Sequence, residues 1–470
     1  MRKYLKYLLI SFVFITITSK LSPLYPVNDW CDTNSFFTMG KSMVRGAAIY
    51  RDLFEQKGPF LYLIYGIGYL ISNKSFFGVY LLEIVSFSCF LRFVDLILNV
   101  FKCKYSDLFL VVLSFIITTS IAFYGGGSAE EFCLPFVTYC FYLLIKIYMG
   151  LDINLKEFFI NGLFFGLVFF VKFNLISFWF GFFIICLFCY KKNDLFKKIF
   201  YFSLGFLLPL VLFLIYFCYK KSLISFIDVY FIKNIISYND TNIYTFIDRF
   251  LNGFVYLFMN NFFDNFLLII SIFLSFVYAY KKKVLCYLLL VFIFPFVFIC
   301  CQYNWFKYYN LSFCIFSVVG LLYVFDKVSF NRFKPGLVLL FIIPLTFLFG
   351  KNTFMLKYKK EDYVQYKFYK IISEYDDQTL LNYNFIDSGF YLYTDVIPSV
   401  RFFHHMNFIG YDEMENALNH SIESGYTNFV VLFNYNNVFN DKFLLNNYKL
   451  LDVERHNKDY GLYYALYVRK

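Results

Sequence analysis

The sequence predicts an α-helical polytopic membrane protein of about eleven transmembrane helices, followed by a small extracytoplasmic α/β domain at its C-terminus. Three observations predict it. Hydrophobic residues make up 60% of the 470 and aromatic residues 25%, with a mean hydropathy of +0.60, whereas soluble domains sit near about 45–50% apolar. Apolar segments of spanning length alternate with short basic runs. After Gly350 the character changes: charge rises, apolar runs shorten, and all four His appear.

Taken in order, the expected spans are 4–21, 76–101, 106–124, 132–149, 158–171, 173–190, 197–218, 261–280, 284–300, 308–325 and 335–350. Residues 4–21 have a basic start and an apolar run like a signal peptide. No small-residue cleavage site follows, so they read as an uncleaved first helix. The apolar segment 59–72 is short and opens with Pro59, which suggests a re-entrant or interfacial helix rather than a crossing. The transmembrane part therefore covers 1–350, with an outer loop 22–58, and the C-terminal domain covers 351–470.

The distribution of cations tests this count, because cytoplasmic loops of membrane proteins collect Lys and Arg. With Arg2, Lys3 and Lys6 inside, the runs at Lys102 and Lys104, Lys146 and Lys156, Lys191 to Lys198, Lys281 to Lys283, and Lys327, Arg332 and Lys334 all fall inside. Lys220 and Lys221 are the exception. The same assignment excludes nucleic acid as the partner of the +11 net charge, since the cations serve topology. Most of the twelve Cys lie in apolar stretches, such as Cys186, Cys189, Cys286 and Cys300, where they act as small hydrophobes. Cys31 reads as an ordinary free thiol.

On this topology the loop 22–58, the turn 125–131, Lys172, the loop 219–260, the stretch Cys301–Lys307 and the C-terminal domain share the outer face. In the first loop, Phe36, Phe37, Gly40, Met43, Val44 and Ala47 recur at helical spacing, with Thr38, Lys41, Ser42 and Arg45 opposite. That pattern predicts an amphipathic helix on the membrane surface. Asp32 precedes it, either as an N-cap or as a carboxylate that deprotonates an acceptor hydroxyl or binds a metal. In GGGSAEEF, Ser128 and Glu131 have capping-box spacing, which leaves Glu130 without a structural task beyond favourable charge at a helix start. Lys172 either snorkels to the interface or meets a phosphate. The run from Gln302 to Tyr309 is an interfacial aromatic belt or a sugar-stacking surface beside a phosphate-binding Lys307.

Acidic residues after the first helix, then a helix, then Tyr50-Arg51-Asp52 and Lys57-Gly58-Pro59, resemble the membrane glycosyltransferases of the type-C fold. The pattern is similar to the bacterial branch related to protein O-mannosyltransferases and the aminoarabinose transferase of lipid A. The resemblance implies transfer of a sugar from a polyprenyl-phosphate carrier to an extracytoplasmic glycan, lipid or protein. It places the catalytic carboxylate at Asp32, with Asp29 as the second candidate, and a further acidic residue at Glu130. Substrate binding then falls to Asp29, Tyr50, Arg51, Lys57, Lys172 and Lys307, and Asp32 with Glu130 would hold a divalent metal ion if one is used. The Lys-Pro-Pro element of that family is Lys-Gly-Pro here, and its outer domain covers the active site or binds acceptor.

The competing reading is a transporter or flippase of lipid-linked sugars. Such proteins keep charges near the bilayer midplane and are built from related halves. Here Glu83, Arg92 and Asp95 are the charges well inside a span, and no internal repeat is visible. In the C-terminal domain, 429–433 and 460–468 read as strands and 412–424 as a helix. His404-His405 reads as an ordinary pair, since adjacent side chains diverge on regular structure.

Overall fold

In a computed structural model, residues 2–236, 245–302, 304–328, 335–406, 412–434, 442–456 and 462–470 are described. Tyr303, Arg332, Lys334, part of the loop 219–260 and the start of the strand expected at 460–468 lie outside them. The chain begins α1 (Arg2–Thr18), α2 (Cys31–Val44), α3 (Pro59–Ile71), α4 (Phe77–Val100), α5 (Ser106–Thr119) and α6 (Ala129–Tyr148). It continues α7 (Leu155–Phe169), α8 (Ser177–Cys189), α9 (Lys192–Tyr219), α10 (Leu223–Phe226), α11 (Asn234–Ile236) and α12 (Phe246–Phe254). The bundle closes with α13 (Phe266–Lys281), α14 (Leu285–Cys300), α15 (Cys314–Lys327) and α16 (Pro335–Phe349).

Each of the eleven expected segments is occupied by a helix. Among the described residues, four helical stretches are individually long and apolar enough to cross a membrane: Ala129–Tyr148, Lys192–Tyr219, Phe263–Lys281 and Lys307–Lys327. Their burial differs in a way that a bilayer explains. On α9, Leu208, Val211, Leu212 and Ile215 stand exposed, while on α15 nearly every side chain is buried. A hydrophobic helix face turned outward is tolerated only where the solvent is hydrocarbon. Thus α9 is peripheral and α15 central.

The turns between helices follow ordinary capping chemistry. Ahead of α7, Asn154 and Glu157 form a reciprocal capping box, and Glu157 also takes Lys146 from the end of α6 at 2.7 Å. Helix α3 starts with Pro59 at its first position, where a missing N–H costs nothing.

After α16 come α17 (Val364–Ile372), β1 (Leu380–Tyr383), α18 (Phe390–Thr394), α19 (Asp412–Glu423), β2 (Phe429–Asn434), α20 (Lys442–Asn447), β3 (Tyr448–Arg455) and β4 (Tyr463–Arg469). The sheet order is β1-β2-β4-β3, with β1 and β2 parallel and the other pairs antiparallel. Helix α19 lies in the connection between the parallel pair, as such a crossover requires. The expected strand at 429–433 and helix at 412–424 are thus present.

One expectation is corrected. Helix α2 does not lie on the membrane surface with a wet face. Residues Thr33 to Met43 are all buried, because α3 packs on one side and the C-terminal chain covers the other. Lys41 donates to the carbonyl oxygens of Tyr391 (2.9 Å) and Val396 (2.7 Å), and Thr38 donates to Asp387 (2.8 Å). A polar helix face reads the same in sequence whether water or another part of the chain satisfies it.

Candidate active site

The start of α2 decides what Asp32 can do. Helix α2 begins at Cys31, so Asp32 sits inside its first turn, and the N-cap is Trp30 without a side-chain cap. Asn28 does the bracing instead. Its Oδ1 accepts the Trp30 N–H at 3.0 Å, and its Nδ2 donates to Thr33 Oγ1 at 2.9 Å. The N-cap reading of Asp32 is therefore corrected. Asp32 Oδ2 accepts the phenol of Tyr308 at 2.7 Å, and the carboxylate lines a cavity of about 240 Å³. Trp30, Tyr124 and Tyr308 meet edge-on or tilted around it, with ring centroids 5.0 to 6.0 Å apart. Tyr308, read from sequence as part of an aromatic belt or sugar-stacking run, is instead a hydrogen-bond donor to Asp32, and Tyr124 had no role assigned from sequence.

Loop 46–58 brings Lys57 to the same cavity. Gly58 donates its N–H to Val171 O at 3.0 Å, and Phe60 donates to Phe170 O at 2.9 Å. A Cβ on Gly58 would lie 2.1 Å from Phe170 O, so only glycine permits this approach. A proline at 58 would also lack the donated hydrogen. This is the physical reason for Lys-Gly-Pro in this chain. Glu55, unremarked in the sequence, lines the cavity too. Its Oε2 accepts the Lys57 N–H at 2.9 Å and the Tyr62 phenol. Burial pushes the Glu55 carboxyl above its usual range, opposed by the charge of Lys57 and these hydrogen bonds.

Tyr50 and Arg51 shape this loop and do not line the cavity. Tyr50 donates to Lys57 O at 2.6 Å, with its ring against Tyr62, Phe217 and Phe226. Arg51 is exposed, paired with Asp52 at 2.7 Å, and holds Lys220 O at 2.9 Å. Asp29 is engaged by Lys20 at 3.0 Å. The structure thus brings Asp32, Lys57 and exposed Lys307 to one cavity and leaves these three elsewhere.

A second cavity of about 200 Å³ shares Gln56 and Lys57 with the first and is lined by Lys172. Lys172 forms a buried ion pair with Glu130, and its ammonium lies 3.8 Å from the Tyr309 ring centroid. Glu130 is released for this by its neighbours. Ser128 accepts the Glu131 N–H at 3.0 Å, and Glu131 accepts the Gly127 N–H at 2.6 Å. Gly126 and Gly127 both have positive φ (78° and 73°), which folds the turn back onto α6. Lysines therefore run from Lys307 through Lys57 to Lys172 along two adjoining chambers.

The C-terminal chain closes the first chamber from above. Ile386 and Met406 line it, and the adjacent Asp387 accepts from Thr38, Gly389 N (3.0 Å) and Asn382 (3.2 Å). Phe54 N donates to Arg401 O at 2.8 Å. His404 is buried behind this roof, and burial drives its pKa down to about 3, so it is neutral. Among the described residues no group of three or more His, Cys, Asp or Glu is placed to hold a metal ion. Asp32 and Glu130 are engaged by separate donors.

The arrangement is a bundle of largely apolar helices, several long and apolar enough to cross a membrane, with its polar chambers gathered at one end under a small sheet. Among solved structures the chain is similar to ArnT from Cupriavidus metallidurans bound to undecaprenyl phosphate. The TM-score is 0.61 at 10% identity, over 98% of this chain and 96% of that one. It is similar also to ArnT from the same organism in the apo state, with TM-score 0.58, 9% identity and the same coverage. At such identities the likeness is one of fold, and it does not favour the O-mannosyltransferase branch in particular. No protein-family pattern matches the sequence, and no curated protein matches it by sequence.

Proposed function

We propose that the protein is a membrane glycosyltransferase that moves a sugar from a polyprenyl-phosphate carrier to an acceptor hydroxyl outside the cytoplasm. The observation that carries this reading is the Asp32 carboxylate, oriented by Tyr308, in a chamber that adjoins a lysine-lined one through Lys57. A base and a phosphate site side by side are what this displacement needs. The acceptor oxygen attacks the anomeric carbon and gives its proton to Asp32. The bond from that carbon to the carrier phosphate breaks, and the phosphate leaves with both bonding electrons. Lys57 and Lys172, with exposed Lys307 at the rim, meet the departing negative charge. The pairing of Lys172 with Glu130 holds the cation ready. The bound undecaprenyl phosphate of the ArnT structure supports a lipid carrier of this class as donor.

In this reading about eleven spans place the N-terminus in the cytoplasm and residues 351–470 outside, with 59–72 re-entrant. The acceptor is a glycan, lipid or protein. The transporter reading is less well supported, because the intramembrane charges serve local partners: Asp95 accepts from Tyr7 at 2.5 Å, and Glu83 from Ser19 at 2.8 Å. The deciding experiment incubates purified Asp32→Asn protein with a panel of polyprenyl-phosphate sugars. Transfer should fall by about 100-fold or more, the usual contribution of a positioned base. Unchanged transfer removes the assignment.

A further inference from the structure

A cavity of about 440 Å³ lies at the other end of the bundle from Asp32. Helix α6 connects the two ends: Glu130 stands beside the catalytic chambers, whereas Tyr148 lines this cavity, roughly 27 Å further along at about 1.5 Å per residue. Its walls are apolar, built from Phe141 and Leu144 of α6, Ile185 of α8, Leu288 and Val291 of α14 and Val319 of α15. The volume falls within the roughly 300–1,000 Å³ of small-molecule sites. It differs from the lysine-lined chambers in having hydrocarbon inside and charge only at the mouth.

Two lysines stand at that mouth. Lys102 follows the end of α4 and Lys282 follows the end of α13; both are exposed, and neither has a carboxylate partner among the described residues. The nearby acid is otherwise engaged, since Asp326 accepts the Tyr278 phenol at 2.9 Å. Lys282 lies 5.4 Å from the ring centroid of the same Tyr278. Lys102 holds a left-handed backbone conformation, with φ +53°, which is uncommon for a residue with a side chain. A lysine after a helix end is ordinary topology by itself. Two of them at the mouth of an apolar chamber between helices make a headgroup site above a chain site, the arrangement that recognises anionic lipids.

We propose that this cavity binds an anionic phospholipid of the adjoining leaflet, with one acyl chain among α6, α8, α14 and α15 and its phosphate against Lys102 and Lys282. The ligand is a diacyl lipid of the bulk membrane and not the polyprenyl carrier, whose phosphate we place at the opposite end. The binding is reversible and involves no covalent step.

The test uses the full chain in phosphatidylcholine vesicles, doped with either a photoactivatable phosphatidylglycerol or the matching phosphatidylcholine probe. Phosphatidylglycerol should label peptides spanning 141–149 and 284–291 about tenfold or more over phosphatidylcholine, as two lysines near a surface imply. Lys102→Ala with Lys282→Ala, both exposed and tolerable to the fold, should bring labelling down to the phosphatidylcholine level. The corresponding arginine pair should restore it. Equal labelling by the two probes overturns the proposal, as does labelling unaffected by the alanine pair or absent from these peptides. Displacement of the probe by undecaprenyl phosphate, but not by unlabelled phosphatidylglycerol, assigns the cavity to the carrier and overturns it too. Because the readout is binding at the far end, its failure leaves the sugar-transfer reading untouched.

Discussion

Tyr308 donates its phenol hydrogen to Asp32 Oδ2 at 2.7 Å, joining residues 276 positions apart in the chain. The bond holds Oδ2, while Oδ1 has the Cys31 thiol 3.8 Å away, and the carboxylate lines the chamber. Tyr308→Phe keeps the ring contacts with Trp30 and Tyr124 and removes only this donor. The expected outcome is a fall in kcat of roughly 10- to 100-fold with little change in KM for the donor, since a positioning bond acts on the reacting geometry. Steady-state kinetics on one polyprenyl-phosphate sugar checks it. A change confined to KM would place Tyr308 in ground-state binding instead.

The buried pair of Lys172 and Glu130 predicts an asymmetry. Lys172→Met leaves Glu130 uncompensated inside the protein, a situation that costs about 3–5 kcal/mol. The double variant Lys172→Met, Glu130→Gln should recover most of the unfolding midpoint in detergent. It should not recover sugar transfer, because the cation for the carrier phosphate is still missing. Recovery of both would reduce the pair to a structural strut.

Gly58→Ala forces a Cβ onto Phe170 O, so the loop must shift or the contact must open. A loss of about 1–3 kcal/mol is expected, in the range of overpacking changes, with Lys57 displaced from both chambers. Transfer should therefore fall at temperatures where the variant remains folded. Thermal unfolding followed in parallel with activity separates the two effects.

Lys41 links stability to alkaline pH. Burial lowers its pKa from 10.5 to about 8, against the raising effects of Asp395 and Asp387. Its unfolded form therefore holds more protons between about pH 8 and pH 10.5, and the stability contributed by this group rises with pH across that window. Below pH 8 the buried ammonium is a constant cost, of order 3 kcal/mol from the size of the shift. In Lys41→Met that rise should vanish from the pH profile of the unfolding midpoint. A wild-type profile that does not rise there relative to the variant contradicts this burial.

Loss of the carbonyl contacts in Lys41→Met should also loosen the roof over the first chamber, because Tyr391 and Val396 are held to α2 by that ammonium. Protease sensitivity of the C-terminal chain in intact vesicles should then increase.

The positions of the apolar helices were legible in the sequence alone. A bilayer core offers no water to backbone groups, so each span must satisfy its own hydrogen bonds and be apolar along its whole length. That requirement is local and is written in runs such as 197–218. The acidic and basic residues worth attention were legible as well, because polar groups in so apolar a chain stand out. Their division of labour was not. Asp29, Asp32, Glu55, Glu130 and Glu131 are alike as residues, and each is defined by its donor: Lys20, Tyr308, Tyr62, Lys172 and Gly127 respectively. Lys41 was misread as solvated for the same reason, since its partners lie about 350 residues further along. Only the packing of distant segments decides which donor each carboxylate meets, because those donors lie far along the chain.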